Sequence, residues 1–209
     1  MNLAKKLVSV AAGVALVAGA SLAAAPASQA KINKKNSATI ISFKKDLVSA
    51  LETQGIQISA QAPATWDPKK ALIRFPITKV ATDGISHSGG LIFTKNGSPL
   101  LVTNPFIATP PGATEYNVLV ETATFGQIPL LVLKKPKASE SCKVDGQHKK
   151  KWIKKTTTRI QAFAHFTSDP TIVAALQQLV SPLIEADLGV GQGRVTIEDD
   201  VNSKKKPKC

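Results

Sequence analysis

FPITKVATDGISHSGGLIFTKNGSPLLVTNPFI, residues 75–107, is the stretch whose reading decides the fold. From Ala71 to Ile77 and from Leu91 to Thr103 the side chains are β-branched, aliphatic or aromatic, and Gly, Asn and Pro interrupt them where a chain must turn. Consecutive strands are therefore expected. Between the two apolar runs a turn is expected, holding Gly84, His87, Gly89 and Gly90.

Working outward, Ala38 to Phe43 reads as a strand, and Lys44 to Gln54 as a short amphipathic helix. In that helix Leu47, Val48 and Leu51 share one side, and Gly55 stands at the C-cap. Ile56 to Ile58 alternates like a strand, and 60–70, with Pro63 and Pro68, reads as a loop in which Trp66 caps the core. Downstream, Asn117 to Phe125 and Ile128 to Leu133 suggest a hairpin across Gly126-Gln127. Residues 134–155, rich in Lys with Pro, Ser and Gly, read as a basic surface excursion, and Thr156 to Phe166 returns to strand character. Asp169 and Pro170 open a second helix carrying Ile172, Val173, Leu176, Leu179 and Val180 on one stripe. Gly189, Gly191 and Gly193 are then expected to form a helix stop and tight turn before a last strand, Arg194 to Val201, and a basic tail, 202–209. The expected fold is mainly β: an antiparallel sandwich or curled sheet with two short helices.

Composition suits this. A chain of 209 residues, 43% hydrophobic and 20% charged, can bury a substantial core, and 31–209 is expected as one domain. Residues 1–30 have the parts of a secretory leader: Lys5 and Lys6, an apolar run from Leu7 to Ala25, and Ser28-Gln29-Ala30 before the cleavage point. Export to the cell envelope or medium is the expected location, with no run after cleavage long enough to span a bilayer. Lys5 and Lys6 account for two of the thirteen net positive charges, leaving +11 on 31–209, which favours anionic partners.

Motifs for catalysis and metal binding are incomplete. Gly84-Ile85-Ser86-His87-Ser88 approaches a nucleophile elbow but ends in Ser where a strained turn needs Gly, and it lies between strands. Serine hydrolase chemistry at Ser86 or Ser88 is accordingly the weakest reading, and no enzyme is expected. His87, His148 and His165 are widely spaced, Cys142 and Cys209 are the only cysteines, and no metal site is expected. The glycines at 189–193 follow a helix and precede a strand, the reverse of a dinucleotide fingerprint. His87 can be read as a ligand, a general base, or a side chain tethering its turn to backbone, and the tether is the leading expectation.

The order Phe75-Pro76-Ile77, Gly84-Ile85, His87-Ser88-Gly89-Gly90-Leu91 and Thr103-Asn104-Pro105-Phe106-Ile107 resembles a group of uncharacterised secreted bacterial proteins. Leu51, Gly55 and Ile56 and the late helix with its Gly-rich follower share in that resemblance. More distantly, His87-Ser88-Gly89-Gly90-Leu91 and Asn104-Pro105 are similar to elements of HtaA-type haem-binding domains of actinobacterial surface proteins. That likeness implies haem or a small ligand at the His87 turn, with His87, Ser88 and Tyr116 as candidates. Those domains use a tyrosine upstream of the histidine, whereas Tyr116, the single tyrosine here, lies downstream.

Two cysteines in an exported chain imply a Cys142–Cys209 disulfide tying the excursion to the tail. That bridge would merge two basic clusters, Lys149-Lys150-Lys151-Trp152 with Lys154-Lys155, and Lys204-Lys205-Lys206. Such clusters attract anionic polymers and surfaces. Sequence-specific nucleic-acid reading is not expected, since arginines are few and no binding module is recognisable. The leading expectation is a secreted or cell-surface, non-catalytic protein without a cofactor that binds polyanions through lysines. Haem or small-ligand binding at His87 is the alternative.

Overall fold

The computed structural model describes residues 31–33, 35–110, 112–148, 151–203 and 206–209. The leader expected over 1–30, and Lys149, Lys150, Lys204 and Lys205, lie outside the described residues.

Alternating apolar residues dictate strands, and the strands close on themselves. In chain order the elements are β1 (Lys31–Ile32), β2 (Ala38–Phe43), α1 (Lys45–Thr53), β3 (Ile56–Gln61), β4 (Thr65–Asp67), β5 (Leu72–Val80), β6 (Gly84–His87), β7 (Gly90–Lys95) and β8 (Ser98–Ala108). They continue with β9 (Glu115–Thr122), β10 (Gly126–His148), β11 (Lys151–Phe166), α2 (Pro170–Leu179) and β12 (Gly189–Ser203). The pairing is antiparallel throughout, in the order β8, β6, β5, β2, β12, β11, β10, β9, and β9 returns to β8. The curled sheet is thus a closed, barrel-like one, and within the closed part each strand is paired on both sides. β7 and β3 continue outward from the first half of β8, while β4 and β1 pair with β5 and β12.

Closure puts one side of each strand indoors. Ile85, Ile107 and Val118 stand opposite one another across β6, β8 and β9, all buried, and Ile41, Ile73, Phe75 and Leu133 fill the same interior. A fully buried aliphatic side chain of this size contributes about 1.5–3 kcal/mol, so these rows drive closure. α1 buries Val48 and Leu51 and ends at Gly55, whose φ of +76° glycine adopts without strain. α2 starts as its sequence dictates, with Asp169 Oδ1 accepting from Thr171 N (2.9 Å) and Ile172 N (3.3 Å). Lys95 Nζ donates to Val180 O (3.0 Å) and so satisfies a carbonyl at the end of α2.

Four local expectations are corrected. Residues 84–87 are not a turn but β6, and the loop expected over 60–70 holds β4. The expected basic excursion at 134–155 is regular strand, with β10 and β11 paired from Leu131↔Phe166 to His148↔Lys151 and β12 alongside β11. Gly189, Gly191 and Gly193 do not form a turn but begin β12. A Cβ at Gly191 would lie 1.9 Å from Ser42 O, so glycine is there because β12 crosses β2 at close range.

Candidate functional site

His87, the last residue of β6, projects into the barrel and is 5% exposed. Its Nδ1 lies 2.8 Å from Pro105 O, and a carbonyl only accepts, so Nδ1 carries the proton. Nε2, 2.6 Å from Thr39 Oγ1, then accepts the hydroxyl proton in the neutral ring. Burial pushes the imidazole down to about 4, against a smaller opposing effect of the Pro105 bond, so the ring is neutral at physiological pH. Phe75 meets it edge-on at 6.5 Å between centroids. His87 thereby ties β6 to β8 and β2 with both nitrogens engaged. The cavity beside it, closed in by Thr39, Phe75, Leu91, Val102 and Leu131, is about 30 Å³, room for one water.

The other expected ligand residues do not join it. Tyr116 is buried on β9, where desolvation raises its phenol, yet it is not among the residues that line the His87 cavity. Ser88 follows β6, and its backbone amide bonds Pro76 O (3.2 Å). Ser86 alternates to the opposite face of β6 from His87, and no serine–histidine hydrogen bond occurs among the described residues. No group of three or more His, Cys, Asp or Glu that could hold a metal ion occurs among them either.

The lysines lie on an arm. Beyond the barrel, β10, β11 and β12 run on as three strands, and the Cys142–Cys209 disulfide straps residues 206–209 onto them. Cys142 stands opposite Thr156, on the same face as Lys154 and Trp152, and Lys206 Nζ sits 5.4 Å from the Trp152 ring centre. Strand alternation sends Lys155 to the other face, opposite Lys143 on one side and Asp200 on the other. Lys154 and Lys155 therefore point to opposite faces of the arm. Acidic Glu198, Asp199 and Asp200 lie along the neighbouring strand, and burial together with Asp200 raises the Asp199 carboxyl. Lys151 is in β11, with its side chain outside the description, as is that of His148.

One cluster gave no signal in the sequence. On the outer face of the barrel, His165 Nδ1 lies 2.9 Å from Asp187 O and 3.3 Å from Asp187 Oδ1. Lys134 Nζ binds the same carboxylate at 2.5 Å. That bond raises the lysine and lowers the aspartate. Asp187 reaches this position with φ at +60°. Because its partners are 22 and 53 residues away in a loop of no recognisable motif, spacing could not have found it.

Solved structures share this architecture. The haem-binding protein HtaB from Corynebacterium glutamicum matches with a TM-score of 0.52 at 12% identity, over 79% of this chain and 94% of that one. The C-terminal domain of HtaA from the same organism matches at 0.50 and 10%, over 77% and 96%. No family model matches the sequence, and no curated protein matches it.

The likeness to HtaB and HtaA at such identities shows the fold. The similarity of residues 87–91 and 104–105 to HtaA-type domains is thus matched by a common fold extending well beyond that core. None of the comparisons supports the uncharacterised secreted group.

Proposed function

We propose that this protein is an extracellular, non-catalytic carrier that binds a ligand of the haem class: flat, largely apolar, and edged by carboxylates. The observation that carries this is the shared fold with a haem-binding protein, which spans 94% of that chain. The disulfide supports an oxidising, extracytoplasmic location. His87 is not the iron ligand in this reading. Enclosed cofactor pockets run to about 300–1,000 Å³, and the cavity beside His87 is about 30 Å³ with both ring nitrogens already bonded. Titration of the disulfide-bonded protein with hemin should give a saturable 1:1 Soret band. A linear, non-saturating absorbance would end the proposal.

Polyanion binding by the arm is a second reading, favoured by the strap that brings Lys206 beside Trp152. Changing Lys149, Lys150, Lys151, Lys154 and Lys155 to Gln should flatten the salt dependence of single-stranded DNA binding, each lost phosphate contact removing about 0.7 from the slope. Folding should be little affected, since ion pairs near a protein surface contribute about 0–1 kcal/mol each. Equal slopes for variant and parent would exclude the arm.

A further inference from the structure

We propose that the α-ammonium of Lys31, freed when the leader is removed after Ala30, is held by the main-chain carbonyl and the carboxylate of Asp200, so that processing locks β1 onto β12. The inference rests on the leader reading of residues 1–30, whose last residue immediately precedes β1. Register decides where the new terminus falls. Lys31 pairs with Asp200 and Ile32 with Asp199, and Asn33 N donates to Glu198 O at 2.7 Å. Facing pairs of an antiparallel ladder alternate between hydrogen-bonded and non-hydrogen-bonded. Two residues along from Asn33, the nitrogen of Lys31 therefore points at a carbonyl again, that of Asp200. The Asp200 side chain offers a second acceptor. Its Oδ2 takes Asn33 Nδ2 at 3.2 Å, whereas Oδ1 is buried and has no hydrogen-bond partner. A buried acceptor is costly to leave without a donor. Beside it, burial and the Asp200 charge raise the Asp199 carboxyl, so this corner of β12 favours an added positive charge. Lys155 faces Asp200 from β11, and Glu198 lies two residues along β12.

Cleavage supplies the missing donors. Hydrolysis by a leader peptidase breaks the Ala30–Lys31 amide: the hydroxyl of water goes to the Ala30 carbonyl carbon and its hydrogen to the Lys31 nitrogen. The acid proton of the new Ala30 carboxyl then moves to that nitrogen, leaving a carboxylate and an ammonium. One peptide N–H, directed at Asp200 O, becomes three N–H donors carrying a full positive charge. One still serves Asp200 O, and a second is free to turn to Oδ1. The precursor has neither that charge nor those donors, so its β1 lacks the ion pair.

The test compares mature protein, its start at Lys31 verified by N-terminal sequencing, with Asp200→Asn and with a chain extended by Gly-Ser before Lys31. Followed by the Lys31 ¹³Cα shift, the α-amine of the parent should titrate at least about half a pH unit above the ordinary range of about 7.7–8.0, and in Asp200→Asn it should return to that range. A raised value stabilises below about pH 8 and the gain is lost as pH rises through it, so the gap in melting temperature between parent and extended chain should close by about pH 10. In the Asp200→Asn background the extension should make no difference. An α-amine titrating in the ordinary range in the parent, or one that Asp200→Asn does not move, overturns the clamp. Should Asp200→Asn fail to fold, amide exchange at Asn33 decides: it should be faster in the extended chain than in the parent, and equal rates overturn the proposal. A mature chain that starts elsewhere than Lys31 overturns the leader boundary and the clamp together.

Discussion

Reduction of the Cys142–Cys209 disulfide should lower the melting temperature by about 5–10 °C. The bridge closes a loop across a sequence separation of 67 residues, and on the chain-entropy model a loop of that size destabilises the unfolded ensemble by about 4 kcal/mol. That figure is a ceiling here. Residues 206–209 are strapped to the arm through Cys209, so breaking the bond also loosens them in the native state, which returns part of the entropy. With about 2–4 °C per kcal/mol for a chain of this size, a net loss of about 2–3 kcal/mol gives the stated shift. Thermal unfolding with and without reductant, repeated on Cys142→Ser, measures it. A change under about 2 °C would mean that the bridge organises the tail without stabilising the barrel. The expectation differs from that for a bridge buried in the core, because the arm projects past β9 and can fray separately.

What was legible in the sequence follows from where each pattern has a physical cause. β2 and the start of α2 are legible because alternation and an Asp-Pro cap act locally. The barrel's closure was not legible. It depends on β9 pairing with both β8 and β10, a register set by which apolar rows meet in three dimensions. The arm was missed for a related reason. Its β10 half carries Lys135, Lys137, Ser139, Glu140, Ser141 and Lys143, with no buried face to impose an apolar alternation, and it is held as strand by pairing with β11. Glycines mislead in a third way. Gly191 signals a turn when read along the chain, but answers to Ser42 on a strand far away in sequence. The expected tether at His87 has the hydrogen bonds such a role needs, to Pro105 and Thr39. The cluster of His165, Asp187 and Lys134 is not legible because its groups come from separate segments.

The stability of the barrel should fall as pH falls from about 6.5 towards 4, with about 3 kcal/mol of the loss assignable to His87. Its folded-state value is about 4, against 6.5 for an unperturbed histidine. Between those limits the unfolded chain takes up a proton that the native interior refuses, so the unfolded state gains as pH drops. Below about 4 the native ring protonates as well, and the His87 contribution stops growing. The window's width, about 2.5 pH units at 1.36 kcal/mol each, sets the magnitude. The cause is burial: a charged ring in this mainly apolar interior would lose its hydration. Carboxylates protonate over part of the same range, so the test is a difference. Urea unfolding free energies of the parent and His87→Gln, measured at pH 7 and pH 4, should show a smaller pH-dependent loss in the variant by about 3 kcal/mol. At pH 7 the variant should itself be weaker by about 1–3 kcal/mol, because the carbonyl of Pro105 and the hydroxyl of Thr39 lose a partner whose geometry both strands were built around. A His87 ring resonance titrating near 6.5 in the folded protein would contradict the closed interior. It would also reopen the barrel interior as the seat of a ligand.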